Sequence, residues 1–256
     1  MSSPAFSKEQ KKDKKFLLIV VAASCLVAAM FGSRNSLSLT IEGIDQSQTL
    51  NYLQISFAFA LGQLVVGAIS PFAGMIADKY GSGKTLTVGI LLGLLGIILI
   101  PYSTTAFTLS ISLGVISSIG LGVAGLPVVL ASVNRLIPQN KVGMAFGLVN
   151  AGQSLGQLIL APLAGFIIVN FGWILCILFL CTVLLLVLPF SFILRSRTDT
   201  KQPSSVQTKS LSETLRIAFN TPSYIYLVVG FFVCGFHVAF IATHMPGVIQ
   251  VCGLPP

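Results

Sequence analysis

The chain has 256 residues, of which 54% are hydrophobic and only 9% are charged. A soluble globular domain carries about a quarter charged residues, so the composition excludes one and predicts an all-α bundle of membrane-spanning helices. The formal net charge of +8 would also suit a nucleic-acid-binding protein. The positions of the basic residues explain this charge through membrane topology, so no nucleic-acid partner is expected.

Seven apolar stretches follow one another along the chain, separated by polar or glycine-containing connections. Each is long enough, or nearly so, to cross a hydrocarbon core of ~30 Å at ~1.5 Å per residue. The predicted spans are residues 16–39, 50–77, 85–102, 107–134, 143–169, 173–194 and 224–243. The sequence therefore predicts a multi-pass protein embedded in a lipid bilayer.

All but one of the 15 Lys and Arg residues fall on one side of the predicted membrane. They lie in the N-terminal tail, residues 1–15, and in the connections after the second, fourth and sixth spans. The opposite connections carry Glu42 and Asp45 but no lysine. An excess of Lys and Arg marks the cytoplasmic side. We therefore expect a cytoplasmic N-terminus and a location in a plasma membrane, such as the inner membrane of a bacterium.

The first span follows a basic tail and imitates a secretory signal peptide. Its apolar run continues beyond Cys25 towards Leu39, which is longer than the apolar core of such a signal. We expect an uncleaved membrane helix; the faint cleavage-site pattern at residues 22–25 leaves a cleaved signal as the alternative.

Arg34 is the only basic residue inside a predicted span. Counted at ~1.5 Å per residue from Phe16, it lies roughly 27 Å along the helix, in the outer part of the membrane. A charge in lipid is costly, so this side chain should face a cavity or a partner. Because a planar guanidinium binds a carboxylate bidentately, Arg34 is a candidate anion-binding residue. The alternative is that it reaches the outer interface or pairs with Glu42 or Asp45.

A polar, glycine-rich turn, residues 74–84, connects the second and third spans. Its final Gly-Lys-Thr imitates a phosphate-binding loop, but such a loop needs a glycine five residues earlier, where Asp78 stands. Gly74 is expected to let helices approach closely, and Gly81 and Gly83 to permit a tight turn. Asp78, at this helix end, can take a basic partner or a neighbouring helix N-terminus as the conformation changes.

This turn resembles the signature loop of the major facilitator superfamily of secondary transporters, Gly-x-x-x-Asp-[Arg/Lys]-x-Gly followed by basic residues. The matching residues are Gly74, Asp78, Lys79, Gly81 and Lys84. At Ser82 and Gly83 the family usually has further basic residues. The resemblance implies a conformational gate in a fold of two six-helix halves. The alternative interpretation is a solvated turn whose lysines only set the topology.

The fourth span departs from one pattern of this family. Many proton-coupled members carry an arginine ahead of the stretch that reads Gly120-Leu-Gly122 here. In this chain the preceding residues are Ile116-Ser-Ser-Ile, so that arginine is absent. Proton coupling through that device is therefore in doubt. Pro127, further along the span, is predicted to kink the helix.

The fifth span combines small and polar residues. Two glycine pairs predicted to pack closely against neighbouring helices are Gly143/Gly147 and Gly152/Gly156. Asn150, Gln153 and Gln157 share one helical face. This polar face either lines a substrate path or forms hydrogen bonds between helices.

The seventh span carries His237 and His244 near one helical face. Intramembrane histidines can carry protons or bind anions, and a structural hydrogen-bonding role is the alternative. Together with Arg34, this span resembles the monocarboxylate-porter and oxalate/formate-antiporter branch of the superfamily. The branch implies a small anionic carboxylate as the solute and a proton as a candidate coupling ion. The candidate substrate-binding residues are Arg34, Gln153, His237 and His244.

The family resemblance also implies the domain organisation. Residues 16–194 would form the N-terminal six-helix half, 195–222 a cytoplasmic linker, and 223–256 the first helix of an incomplete C-terminal half. Alternating access needs two halves around one site, so we expect a fragment that does not transport by itself. The predicted function is secondary active transport of a small solute; a non-transporting membrane sensor or scaffold is the alternative.

Nothing in the sequence favours an enzyme. The five cysteines lack metal-ligand spacing, and no serine or cysteine has a matching catalytic base. We therefore expect no catalytic residue, no metal and no cofactor.

Overall fold

The computed structural model describes the backbone of residues 4–47, 50–195, 216–217 and 219–251, and the side chains of 13–41, 43–45, 50–195, 216–217 and 219–241. Every regular element in these ranges is a helix. Seven described segments, called the first to seventh spans below, are long and apolar enough to cross a membrane. They are Asp13–Thr40, Tyr52–Tyr80, Ser82–Tyr102, Ala106–Leu136, Gln139–Phe171, Trp173–Ile193 and Pro222–Ile241. The predicted all-α membrane fold is confirmed.

Most spans are built around one long helix. The first span consists of most of the helix Pro4–Leu37 and the 3-10 turn Ser38–Thr40 that follows it. A seven-residue helix, Ile41–Ser47, comes next. The main helices of the second, third, fifth, sixth and seventh spans are Tyr52–Tyr80, Ser82–Ile98, Val142–Phe171, Trp173–Val187 and Pro222–Val251.

The fourth span is divided into several pieces. Its helical segments are Ala106–Leu109, the π-helical Ser110–Ser117, Ser118–Val123 and Leu126–Leu136. Between the last two, Gly125 is extended, with φ −63° and ψ 170°. Pro127 lies in the first turn of the final segment, where its missing N–H costs no hydrogen bond. The predicted kink at this proline is thus a complete break in the helix, located just before it.

Two glycines with positive φ make the tightest connections. Gly81 has φ 91° and separates the second span from the third, and its N–H donates to the carbonyl of Ala77 at 3.0 Å. Gly172 has φ 85° and separates the fifth span from the sixth. Glycine adopts such angles without the clash that a Cβ would cause. The predicted turn at Gly81 is confirmed, whereas Gly83 lies inside the following helix and makes no turn.

The first and fifth spans pack backbone against backbone. A Cβ placed on Gly156 would lie 2.1 Å from the carbonyl oxygen of Ala28, and one on Gly152 would lie 2.7 Å from Cβ of Ser24. This confirms the predicted packing role of Gly152/Gly156. The prediction for Gly143/Gly147 is wrong for the described residues, because no heavy atom lies within 4 Å of a Cβ on either glycine.

The chain forms two compact units, residues 1–197 and 198–256. The first unit contains six spans and the second contains the seventh. Most of the predicted linker, 195–222, lies outside the described residues. The domain boundaries given above therefore stay a prediction.

Candidate functional site

Arg34 lies in the last turn of the helix Pro4–Leu37 and is half-buried. Its Nη2 donates a hydrogen bond to Oε1 of Gln63 in the second span. No Asp or Glu with a described side chain forms an ion pair with this guanidinium. The partner considered from the sequence, Asp45, is therefore not paired with it, and the side chain of Glu42 lies outside the described residues. The described partner of Arg34 is therefore a neutral amide.

A cavity of about 80 Å³ opens beside Arg34, between the first, second and fourth spans. It is lined by Met30, Phe31, Arg34, Val66, Ser70, Leu121, Gly122, Gly125, Leu126 and Pro127. Of these lining residues only Arg34 is charged. The Ser70 hydroxyl donates to the carbonyl of Val66, one turn back in its own helix, at 2.7 Å. The cavity thus presents one cation within a mostly apolar wall.

The break in the fourth span shapes this cavity. Gly122 and Gly125 contribute backbone to the wall, and Pro127 begins the next helical segment beside it. A Cβ on Gly122 would lie 3.4 Å from Cα of Val66, so a larger residue there would push against the second span. The small residues therefore let the second and fourth spans meet without filling the space beside Arg34.

The structure does not place Gln153 in the Arg34 cavity. Gln153 is half-buried on the fifth span and is not among the residues that line the cavity. On the same face, Asn150 donates its amide N–H to the carbonyl of Phe146 in its own helix at 2.9 Å. This described hydrogen bond of the polar face stays within its own helix, and the role of the face in lining a substrate path stays a prediction.

The two histidines belong to the second unit. The Nδ1 atom of His237 lies 2.8 Å from the carbonyl oxygen of Val233, one turn earlier in its own helix. Its ring also packs edge to face on Phe236, with centroids 6.1 Å apart. His244 lies in the helix Pro222–Val251, and its side chain is outside the described ones. The substrate-binding role of both histidines stays a prediction.

The loop between the second and third spans contributes an ion pair. Asp78 lies in the last turn of Tyr52–Tyr80 in the second span, and Arg135 lies in the last turn of Leu126–Leu136 in the fourth span. The Arg135 guanidinium donates to Oδ1 of Asp78. The sequence leaves a basic partner and a neighbouring helix N-terminus open for Asp78 and does not single out Arg135. Both connections are basic and lie on one predicted side of the membrane, which is the signal that could have paired them.

The other residues of this loop have different surroundings. Lys84 is exposed, and Nζ of Lys79 lies 5.4 Å from the ring centroid of Tyr80. A Cβ on Gly74 would meet no described heavy atom within 4 Å, so the close helix approach predicted there is absent from this part of the fold. The close approach occurs at Gly83 instead, because a Cβ there would lie 2.9 Å from Cα of Arg195, just after the sixth span.

These contacts gather the basic connections at one end of the first unit. Lys141, after the fourth span, donates to Asp13 at 2.7 Å and lies 5.2 Å from the ring centroid of Phe16. The Asp78 ion pair joins the connections after the second and fourth spans, and Gly83 touches the end of the sixth. The connections after the second and fourth spans and the end of the sixth span therefore lie at one end of the first unit. Among the described residues no three His, Cys, Asp or Glu side chains are grouped as metal ligands would be.

Comparison with known proteins identifies related transporters. A family model described as Major Facilitator Superfamily matches residues 21–256. The riboflavin transporter RibZ of Clostridioides difficile (strain 630) is 28% identical over 162 residues, which cover 63% of this chain and 35% of that protein. Monocarboxylate transporter 11 of Mus musculus is 25% identical over 178 residues, covering 70% and 39%. Monocarboxylate transporter 2 of Homo sapiens is 26% identical over 156 residues, covering 61% and 32%.

A solved structure shows the same fold. The in meso crystal structure of the POT family transporter PepTSo superposes with a TM-score of 0.60 at 14% identity, over 94% of this chain and 51% of that chain. The chain spans between 32% and 39% of the length of the three relatives above. The family match includes residues 74–84, the residues that line the Arg34 cavity and the seventh span. The chain belongs to the major facilitator superfamily, whose members here are membrane transporters and not enzymes.

Proposed function

We propose that this chain supplies the solute-binding lobe of a secondary active transporter for small organic anions, such as monocarboxylates. The observation that carries the proposal is Arg34, an intramembrane guanidinium whose described partner is the neutral amide of Gln63. A cation within a membrane span marks a functional site by default. Its N–H groups suit the two oxygens of a carboxylate.

The lining of the cavity favours a solute with an apolar part. The share of the site that lies in the first unit has a volume of about 80 Å³. Apolar walls contributed by Phe31 and Leu126 would contact a short carbon chain, while Arg34 binds the carboxylate. Two of the relatives above are monocarboxylate transporters and one is a riboflavin transporter; the guanidinium of Arg34 favours a carboxylate as the solute.

The proposed cycle is alternating access, in which two lobes rock around a shared site. The Asp78–Arg135 ion pair would hold one conformation of this lobe and exchange its partner as the gate moves. His237 and His244 are proposed to assist coupling to a proton. The end of the bundle that carries Lys79, Lys84 and the N-terminal segment is proposed to face the cytoplasm of a bacterial cell, because basic connections are retained on that side.

All described residues that line the Arg34 cavity belong to the first unit, so its affinity for anions can be measured on the chain itself in lipid nanodiscs. We expect radiolabelled lactate to bind the wild-type chain and its neutral amide, lactamide, not to compete. Arg34→Gln should weaken lactate binding at least about tenfold, because the charge-assisted contacts are lost. Arg195→Gln is the matched control, since Arg195 is exposed at the basic end, away from the cavity.

Equal lactate affinity in the wild-type chain and Arg34→Gln would contradict the role of Arg34. If transport is the function, uptake of lactate into vesicles by a complete two-lobed permease with the same substitution should fall with binding. A wild-type chain that is stable in nanodiscs but binds neither lactate nor butyrate would favour the non-transporting sensor or scaffold.

A further inference from the structure

We propose that Gln63 is a positioning residue that fixes the Arg34 guanidinium and, by being neutral, keeps the cavity selective for anions. The inference rests on the proposed function, because it concerns the same cavity. It adds a residue on a different helix, the second span, whose side chain does not itself line the cavity wall.

The helical register of the second span aims Gln63 towards Arg34. Gln63, Val66 and Ser70 follow the spacing i, i+3 and i+7, so they share one face of the helix. Val66 and Ser70 line the cavity, and Gln63 extends the same face by one turn towards the guanidinium that it binds. The neighbouring residue, Gly62, packs closely against the fourth span, since a Cβ there would lie 2.6 Å from Oγ of Ser118. This contact helps to set the rotation of the second span.

The chemistry of the pair explains why an amide is used. A guanidinium has five N–H donors and no acceptor, and the Gln63 carbonyl occupies the Nη2 side of Arg34. The amide satisfies a donor without cancelling the charge. A carboxylate at the same position would form a salt bridge with Arg34 and compete with an incoming anion. The neutral partner therefore orients the cation and leaves its charge and its other donors for the solute.

Substitution by glutamate tests the charge argument directly. Gln63→Glu changes almost no volume but adds a carboxylate, and we expect lactate binding by the chain in nanodiscs to weaken at least about tenfold. Gln139→Glu is the matched control, because Gln139 is exposed at the basic end and takes no part in the cavity. It makes the same chemical change and should leave lactate affinity within about twofold of wild type.

A second variant separates positioning from charge and does not depend on the glutamate variant folding. Gln63→Met keeps the length and removes the hydrogen bond while the charge of Arg34 remains. We expect lactate binding to weaken several-fold, with the preference for lactate over lactamide retained. Lactate affinity equal to wild type in Gln63→Met would overturn the positioning role, and wild-type affinity in a folded Gln63→Glu would overturn the selectivity role.

The outcomes distinguish this inference from the function on which it rests. If Arg34→Gln abolishes lactate binding but both Gln63 variants bind as wild type does, the anion site stands and the role of Gln63 is refuted. If Arg34→Gln has no effect, or the wild-type chain binds neither lactate nor butyrate, the anion site itself is refuted and the role of Gln63 with it.

Discussion

Asp78 and Arg135 form an ion pair that ties the end of the second span to the end of the fourth. The side chains are 62% and 32% exposed, respectively, so water still reaches the pair. An exposed pair of this kind contributes only about 0–1 kcal/mol to stability. A contact this weak suits the proposed gate, in which the pair must break and re-form.

Replacement of Asp78 by asparagine should therefore separate stability from transport. Asp78→Asn is expected to change the free energy of unfolding, measured by SDS titration, by less than about 1 kcal/mol. Lactate binding should be unchanged, because the ion pair is outside the Arg34 cavity. Uptake by a two-lobed permease should fall strongly. Asp45→Asn is the control, since Asp45 is exposed and forms no ion pair with a described residue. Loss of binding as large as in Arg34→Gln would contradict the gate assignment.

The contact between the first and fifth spans predicts a large effect from one methyl group. In Gly156→Ala the new Cβ would meet the carbonyl oxygen of Ala28 at 2.1 Å, so one helix must move away. We expect a loss of about 1–3 kcal/mol in the free energy of unfolding, as for other overpacked sites. Gly147→Ala, on the same helix but with no described atom within 4 Å of its Cβ, should be neutral or slightly stabilising. Equal effects of the two substitutions would refute the close helix contact.

Gly81 predicts a cost that comes from the backbone and not from packing. Its φ of 91° and ψ of 139° lie in a region that only glycine adopts readily. Gly81→Ala should lower the free energy of unfolding by about 1–3 kcal/mol. Gly67→Ala is the control: Gly67 lies within the preceding helix, has no described atom within 4 Å of a Cβ placed on it, and its substitution should not lower the free energy of unfolding. A folded Gly81→Ala chain as stable as Gly67→Ala would mean that this turn has another conformation.

Local patterns in the sequence were sufficient for much of the fold. The seven spans depend on hydrophobicity over about 20 residues, and the turn at Gly81 depends on one residue type. For both, the physical cause lies within a few residues of the chain, so no knowledge of the neighbouring helices was needed. The spacing of Gly152 and Gly156 also predicted close packing, but the same spacing at Gly143 and Gly147 brings no described atom within 4 Å, because close packing depends on which face of the helix meets a neighbour.

The partners of the site residues could not be predicted in this way. Arg34 was identifiable as a charge within an apolar span, but its hydrogen bond to Gln63 depends on how the first and second spans are rotated against each other. The same is true of Asp78 and Arg135, which are far apart in sequence. Gly74 and Gly83 are also indistinguishable by sequence, because both are small residues near the same connection. Only the packing shows that Gly83, and not Gly74, has a close neighbour in the first unit.

The distribution of basic residues predicts the orientation of the chain, and cysteine labelling can test it. In a background with the five native cysteines replaced by alanine, Lys84→Cys should react with a membrane-impermeant maleimide only after cells are permeabilised. Asp45→Cys, which is exposed in the connection after the first span, should react in intact cells. The reason is that loops rich in Lys and Arg are retained in the cytoplasm, whereas acidic residues have little influence on topology. Labelling of Lys84→Cys in intact cells, with Asp45→Cys protected, would place the Asp78–Arg135 pair on the outer face and reverse the proposed direction of the gate.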